Sequence, residues 1–209
     1  MKVNEIFLSI QGESSSIGKP TIFVRFTGCN LRCSYCDTKY AYTEGIEMTI
    51  SEIMSKIESF SYKRVCLTGG EPLLQEDIQD LLDRLKDYEV SIETNGSIDL
   101  SNIKLLANQR FIMDIKLRTS ECFEKMHFDN FRYLTDKDEI KFVIANRQDY
   151  DLAKYVITKY YKHGDMIMSP VFNEIEYKDL VEWILEDKLN IRFQLQIHKI
   201  IWDKNKRGV

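Results

Sequence analysis

Apolar positions recur along this chain with two periods that take turns. Ile22, Phe23, Val24 and Phe26, bounded by Lys19-Pro20 and Gly28, predict a strand over residues 21–26, preceded by one over 3–10. Thr49 and Glu52 have the spacing of a capping box, and Ile50, Ile53, Met54 and Ile57 then recur on one helical face. A strand over 64–67, a helical stripe of Ile78, Leu81, Leu82 and Leu85, and a strand over 89–92 repeat the theme. Beyond them the pattern predicts a helix over 103–107, strands over 111–117 and 140–145, and a helix over 150–160 with Leu152, Tyr155 and Val156 inward. Strands over 166–168 and 191–197 close the series, with a helix carrying Leu180, Trp183 and Ile184 between them. Strands alternating with helices imply parallel strands joined by right-handed crossovers, hence an α/β domain whose apolar stripes form the core.

In such folds ligands gather at the carboxyl ends of the strands. Cys29 follows the 21–26 strand, Thr68-Gly69-Gly70-Glu71-Pro72 the 64–67 strand and Thr94-Asn95-Gly96-Ser97 the next, while Asp114-Ile115-Lys116-Leu117 ends the strand after that. Four polar motifs, far apart in sequence, therefore point at one mouth.

Length and charge narrow the classes. At 209 residues and 44% hydrophobic content the chain can bury one sizeable core, so a single domain over 1–209 is expected. The net charge of −4 comes from scattered side chains rather than a basic stripe, which argues against a nucleic-acid partner and for a small substrate. No apolar stretch approaches bilayer length, so no membrane role is expected. The opening Met-Lys-Val-Asn-Glu-Ile lacks an apolar signal region, and with an odd cysteine count this points to a reducing cytoplasm without disulfides.

Three of the five cysteines carry the chemistry. Cys29, Cys33 and Cys36 stand in a CxxxCxxC run, a spacing that lets one short loop place three thiolates on a cubane iron-sulfur cluster. The iron left without a protein ligand is then an open coordination site, which S-adenosylmethionine can occupy. A zinc knuckle needs a fourth ligand, and His127, His163 and His198 are isolated and far along the chain. Cys66, in an apolar run, and Cys122, without a partner at motif spacing, are expected to be ordinary thiols.

Other motifs are ambiguous when taken singly. Gly69-Gly70 at a strand exit lets backbone approach a ligand, or forms only a tight turn. Gln11-Gly12-Glu13 offers amide, backbone and carboxylate groups to a heterocycle, or is a polar turn. Arg25 inside an apolar strand needs an anion: a bound substrate carboxylate, or an Asp or Glu of the chain, unless its head reaches solvent. Asp37 and Thr38 are loop residues, Glu93-Thr94-Asn95-Gly96-Ser97 has the composition of a capped turn, and His198 is an ordinary hydrogen-bonded histidine by default.

Together these segments resemble the radical S-adenosylmethionine enzymes and, within them, the 7-carboxy-7-deazaguanine synthases. Glu5-Ile6-Phe7-Leu8-Ser9-Ile10-Gln11-Gly12-Glu13, Phe23 through Leu31, Cys33-Ser34-Tyr35-Cys36-Asp37-Thr38, Thr68 through Pro72, Glu93 through Ser97 and the tail Gln196-Ile197-His198-Lys199 with Arg207-Gly208-Val209 carry the likeness. It departs from the common pattern at Ser14, where many members have Gly, at Asp114-Ile115-Lys116 and at Ser169-Pro170. The resemblance implies a partial (βα) barrel of the radical S-adenosylmethionine type, with parallel strands, outer helices and fewer units than a complete barrel. It also implies a lyase that contracts 6-carboxy-5,6,7,8-tetrahydropterin to 7-carboxy-7-deazaguanine with loss of ammonia, in queuosine and other 7-deazapurine biosynthesis. The cofactors would be a 4Fe-4S cluster, S-adenosylmethionine and Mg2+, and the partners a flavodoxin-like one-electron reductant and a second copy in a homodimer.

Carried over position by position, Cys29, Cys33 and Cys36 would ligate the cluster and Thr38 the Mg2+. Ile10, Gln11, Gly12, Arg25, Thr68 and the terminal carboxyl of Val209 would contact the pterin. Gly70, Asp114, Ile115, Lys116, Ser169, Pro170, Val171 and Phe172 would border S-adenosylmethionine. An activating enzyme for a glycyl-radical partner protein shares the cysteine loop and the Gly-Gly-Glu-Pro turn, and a non-catalytic metal-binding module shares the cysteines. The Gln-Gly-Glu turn and the His198-Lys199 tail favour the pterin enzyme.

Overall fold

The computed structural model describes residues 1–203 and 206–209. One nine-stranded sheet organises it, in the order β3-β1-β2-β4-β5-β6-β7-β8-β9. The strands are β1 (Lys2–Ile10), β2 (Pro20–Phe26), β3 (Ile46–Glu47), β4 (Arg64–Gly69), β5 (Glu89–Thr94), β6 (Gln109–Ile115), β7 (Glu139–Ile144), β8 (Asp165–Pro170) and β9 (Arg192–Phe193). From β2 to β9 every neighbouring pair is parallel, while β1 runs antiparallel to both β2 and β3. The sheet curls but stays open, with β3 and β9 at its edges, as expected of a partial barrel.

Strand pleating sorts the side chains. Ile22, Val24, Phe26, Val65, Leu67, Val90, Ile92, Phe111, Met113, Ile115, Ile140, Phe142 and Ile144 share one buried cluster with the inner faces of the helices α1 (Ile50–Ser59), α2 (Ile78–Arg84), α3 (Arg147–Tyr160) and α4 (Tyr177–Glu186). Alternate residues face the other way. Arg25, Thr68, Glu93, Asp114 and Lys141 line the hollow of the sheet instead. The hollow is thus polar because the helix-facing side takes the apolar residues.

α1 begins as its sequence dictates, with Thr49 accepting from the Glu52 amide while the Glu52 side chain accepts from the Thr49 backbone. Two expectations fail. Residues 103–107 form no helix: the Gln79 side chain bonds both polar groups of the Lys104 backbone (2.9 and 3.0 Å), which holds the segment extended. Tyr155 is 53% exposed, pointing away from the core face that Tyr150, Ala153 and Val156 occupy. The expected 191–197 strand shortens to Arg192–Phe193, because the chain then turns to the loop between β1 and β2. Gln194 exchanges two side-chain bonds with the Ser14 backbone (2.6 and 2.9 Å), and the Ile197 amide donates to the Gly12 carbonyl.

That β1–β2 loop bridges the open side of the curl. Ser15 donates to Glu139 of β7 through its amide and hydroxyl (2.9 and 2.6 Å), and Arg110 of β6 reaches Ser16 and Glu139. Ser14 takes a φ of 70°, the left-handed region in which glycine, its common counterpart in the resembling family, is unstrained.

Asn130 fixes the turn after β5. Fully buried, it accepts from the Leu100 amide (3.0 Å) and donates to the carbonyls of Ile98 (2.7 Å) and Gly96 (3.3 Å). Asn130→Leu leaves three backbone groups unpaired and is expected to destabilise the fold by about 2–4 kcal/mol. For a chain of this size that lowers the melting temperature by roughly 5–15 °C, and calorimetry checks it.

Candidate active site

The cysteine loop leaves β2 and folds back over the mouth of the sheet. Ser34 anchors it, its amide donating to the Ser120 carbonyl and its hydroxyl to that of Thr119 (2.6 Å). Cys33 packs with Leu31, Cys122 and Met126 in a small apolar cluster, while Cys29 and Cys36 are half-buried beside it. All three motif cysteines line one cavity of about 810 Å³. Burial pushes the Cys33 thiol up to about 12 and raises Cys29 as well, so a metal must displace these protons to bind. Cys66 and Cys122 are buried thiols, and no cysteine is in a disulfide.

Among the described residues no three His, Cys, Asp or Glu side chains converge on one point, as a mononuclear site would require. A cubane spreads its thiolate ligands over different irons, so cysteines that share a wall without converging suit it better. Two buried polar atoms on the cavity wall also lack partners among the described residues: the Tyr35 hydroxyl and Asp114 Oδ1. Such orphans fit a polar cofactor held against this wall.

Gly70 sits where the β4 exit crosses the cysteine loop. A Cβ there would lie 2.0 Å from the Gly28 carbonyl oxygen and 2.9 Å from the Cys29 Cβ. Its amide donates to the Phe26 carbonyl and the Glu71 amide to that of Gly28 (2.8 Å), so the two loops are stitched through backbone. The buried Glu71 carboxyl accepts from the amides of Asn95 (2.6 Å) and Leu73 and from the Thr94 hydroxyl, tying the next turn to the same place. Burial raises Glu71 to about 7 despite these donors.

Deeper in the cavity, Gln11 and Thr68 both donate to Glu93, at 3.1 and 2.8 Å. Gly12 lies under the His198 ring, where a Cβ would meet Nδ1 at 2.0 Å. Arg25 Nε donates to Glu5 (2.7 Å), so the anion within the chain that its burial demands is Glu5, whose same oxygen accepts from the Tyr40 hydroxyl. Its guanidinium still lines the cavity, with Ile10 nearby on the wall. Lys141 of β7 pairs with Glu13, whose other oxygen accepts from Gln196 (2.6 Å). Burial favours a neutral acid, yet Lys141 and Gln196 together hold Glu13 below its ordinary value.

The tail closes the rim. Lys199 pairs with Asp37 at 2.6 Å, and although partial burial pulls the other way, this ammonium holds the Asp37 carboxyl well below the usual range. Thr38 donates to Asp37 (2.9 Å) and lines the cavity. Arg207 stacks on Tyr40 at 3.8 Å and pairs with Glu44, bringing Gly208 and Val209 onto the cavity wall.

Asp114, Lys116, Val171 and Phe172 also line the cavity, with Lys116 paired to Asp114 at 2.8 Å. Three residues of the expected cofactor set do not. Ile115 belongs to the helix-facing core by strand alternation, and Ser169 and Pro170 are buried behind the cavity wall. Two cavity residues, Glu93 and Lys141, were not assigned roles from sequence. Lys141 carried the signal that singled out Arg25, a lone charge within the apolar run Ile140-Lys141-Phe142-Val143-Ile144.

The open parallel sheet and its cysteine loop define a radical S-adenosylmethionine protein, and the model of the radical SAM superfamily matches residues 23–184. Such proteins carry a 4Fe-4S cluster and S-adenosylmethionine. The chain is 44% identical to the 7-carboxy-7-deazaguanine synthase of Clostridium acetobutylicum, covering 100% of this chain and 99% of that protein. It is 41% identical to the synonymous protein of Chlorobaculum tepidum, over 100% of this chain and 97% of that one. The chain belongs to the 7-carboxy-7-deazaguanine synthase family. The crystal structure of QueE from Escherichia coli shares its fold, with a TM-score of 0.77 over 93% of each chain at 21% identity.

Proposed function

We propose that the chain contracts 6-carboxy-5,6,7,8-tetrahydropterin to 7-carboxy-7-deazaguanine, releasing ammonia, as a radical lyase of 7-deazapurine biosynthesis. The observation that carries this reading is the 44% identity over the whole length to a protein of that name. The cavity supports it, since about 810 Å³ falls within the usual range of small-molecule sites and the motifs of the resemblance line it together.

When bound, the cluster and S-adenosylmethionine supply one-electron cleavage of a sulfonium. Cys29, Cys33 and Cys36 would hold the cluster, with Gly70, Asp114, Lys116, Val171 and Phe172 placed to border the cofactor. The chain's own work is orientation and shielding. Gln11 and Thr68 fix Glu93 as an acceptor facing the ligand, and Arg25, anchored through Nε by Glu5, presents the rest of its guanidinium to a substrate carboxylate. Ile10 and Gly12 line the cavity beside them, with the His198 ring packed over Gly12. Thr38, beside Asp37, is the candidate protein ligand for Mg2+, a cation that prefers oxygen and few protein ligands. A one-electron donor of flavodoxin type and a homodimeric, cytoplasmic protein complete the reading; among the described residues no helix is long and apolar enough to cross a membrane.

Anaerobic incubation of reconstituted protein with the carboxypterin, S-adenosylmethionine, reductant and Mg2+, followed by mass analysis, tests the proposal. Deazaguanine product and ammonia are expected. Cofactor cleavage with the pterin left unchanged would sink it. Because Val209 lies on the cavity wall, deleting Gly208 and Val209 is expected to weaken pterin binding by about tenfold, the worth of one lost charge-assisted contact, while leaving iron content unchanged. Titration of the holoenzyme with the pterin checks this.

A further inference from the structure

Three side chains close a hydrogen-bonded ring where the cysteine loop meets the turn after β5. The Asn30 amide donates to the Ser97 hydroxyl (2.8 Å), that hydroxyl donates to the Asn95 side-chain oxygen (2.6 Å), and the Asn95 amide donates back to the Asn30 oxygen (3.0 Å). The Ser97 backbone N–H also donates to the Asn95 oxygen (3.0 Å). Since a backbone N–H can only donate, the atom facing it must be the oxygen, and the orientation of the Asn95 side chain is settled. The buried Glu71 carboxylate holds the same residue by its backbone, accepting from the Asn95 amide at 2.6 Å. One side-chain N–H of Asn95 is left over. It points to the Cys29 sulfur, 3.8 Å from the amide nitrogen, where the Leu31 backbone N–H donates at 3.4 Å. Cys33 and Cys36 meet the Cys122 thiol and the Tyr42 hydroxyl, groups free to rotate, whereas Asn95 is 7% exposed and pinned at its oxygen and its other N–H.

We propose that Asn95 is a positioning residue for the iron-sulfur cluster, aiming a fixed N–H at the Cys29 thiolate and so raising the potential at which the cluster accepts an electron. Hydrogen bonds to the sulfur ligands are among the levers that set such potentials. An added electron increases the negative charge on those sulfurs, and the partial positive charge of a donor aimed at one of them favours the reduced state, more so in a site of low dielectric. The amide is oriented before the electron arrives, so no rearrangement has to accompany reduction. Glu71, Ser97 and Asn30 serve the same end by holding the donor in place. The inference rests on Cys29 as a cluster ligand and holds whatever ring the enzyme contracts.

The test is a redox titration of the reconstituted holoenzyme, without S-adenosylmethionine or pterin, followed by electron paramagnetic resonance. Asn95→Leu is expected to carry the wild-type content of iron and sulfide, yet to be reduced about tenfold less favourably at a given applied potential, a fall of about 59 mV for a one-electron couple. Asn95→Asp keeps the oxygen that Ser97 requires and replaces the donor with a negative charge, and its potential is expected to fall at least as far. Either variant with full iron content and the wild-type potential overturns the proposal. If both lose iron, wild-type protein labelled with nitrogen-15 in the asparagine side chain carries the test: a magnetic coupling between that nitrogen and the reduced cluster is expected, and its absence overturns the proposal. Wild-type protein that takes up no 4Fe-4S cluster overturns the ligation itself, and this inference with it. Because neither pterin nor product enters the titration, the shift in potential stands or falls apart from the pterin reading.

Discussion

Cys33→Ala is expected to yield a folded protein that binds no 4Fe-4S cluster and turns nothing over. Cys33 is the most enclosed of the three motif thiols, packed among Leu31, Cys122 and Met126, so an alanine keeps most of the apolar contact and the fold. On the proposed ligation it would remove one of three thiolates, and a cluster held by only three protein ligands would have no reserve. Cys122→Ala, in the same small cluster, is expected to keep turnover while costing roughly 1 kcal/mol for the lost buried volume. Iron and sulfide content, the charge-transfer absorbance of the reconstituted protein and product formation separate the two. Equal loss from both variants would mean that Cys33 matters for packing and not for iron.

Gly70→Ala comes next in size. The added Cβ would stand 2.0 Å from the Gly28 oxygen and 2.5 Å from the Gly28 carbonyl carbon, backbone atoms that no rotamer change can clear. One loop must move, and with it go the Gly70 amide to Phe26 and the Glu71 amide to Gly28. Overpacking together with two weakened backbone bonds costs about 2–5 kcal/mol. The displaced segment carries Cys29, so cluster content and S-adenosylmethionine affinity are expected to fall together. Gly18→Ala is the contrast: among the described residues beyond its two chain neighbours no atom lies within 4 Å of the added carbon, and its φ of 80° leaves a local backbone penalty of about 1 kcal/mol. Measured melting temperature, iron content and cofactor affinity all at wild-type level in Gly70→Ala would refute the close crossing.

The parts of this molecule legible from sequence were those in which local chemistry and tertiary role agree. β2 announced itself by Ile22, Phe23, Val24 and Phe26, and the cysteine loop by its spacing, because both are set within a few residues. Segment 103–107 misled because its fate is settled by Gln79, 25 residues away, whose side chain satisfies the Lys104 backbone in place of a helix. Strand alternation also escaped a motif carried over as a block: Asp114 and Lys116 face the cavity, and Ile115 between them cannot. Glu93 was visible only as the start of a turn, since its importance lies in Gln11 and Thr68, which two other segments deliver. Arg25 has two readings in sequence, and the Glu5 bond through Nε supplies one of them while its guanidinium still lines the cavity.

The β1–β2 segment has two employers. Ser14, Ser15 and Ser16 fasten it to β6, β7 and the chain after β9, while Gln11, Gly12 and Glu13, immediately before them, face the cavity. A lineage acquiring a new substrate through this segment would be altering, in the same stroke, the clasp that keeps its unclosed sheet from splaying. Retooling is therefore expected to proceed through Val171, Phe172 and the tail, where exchange of a side chain leaves the clasp alone.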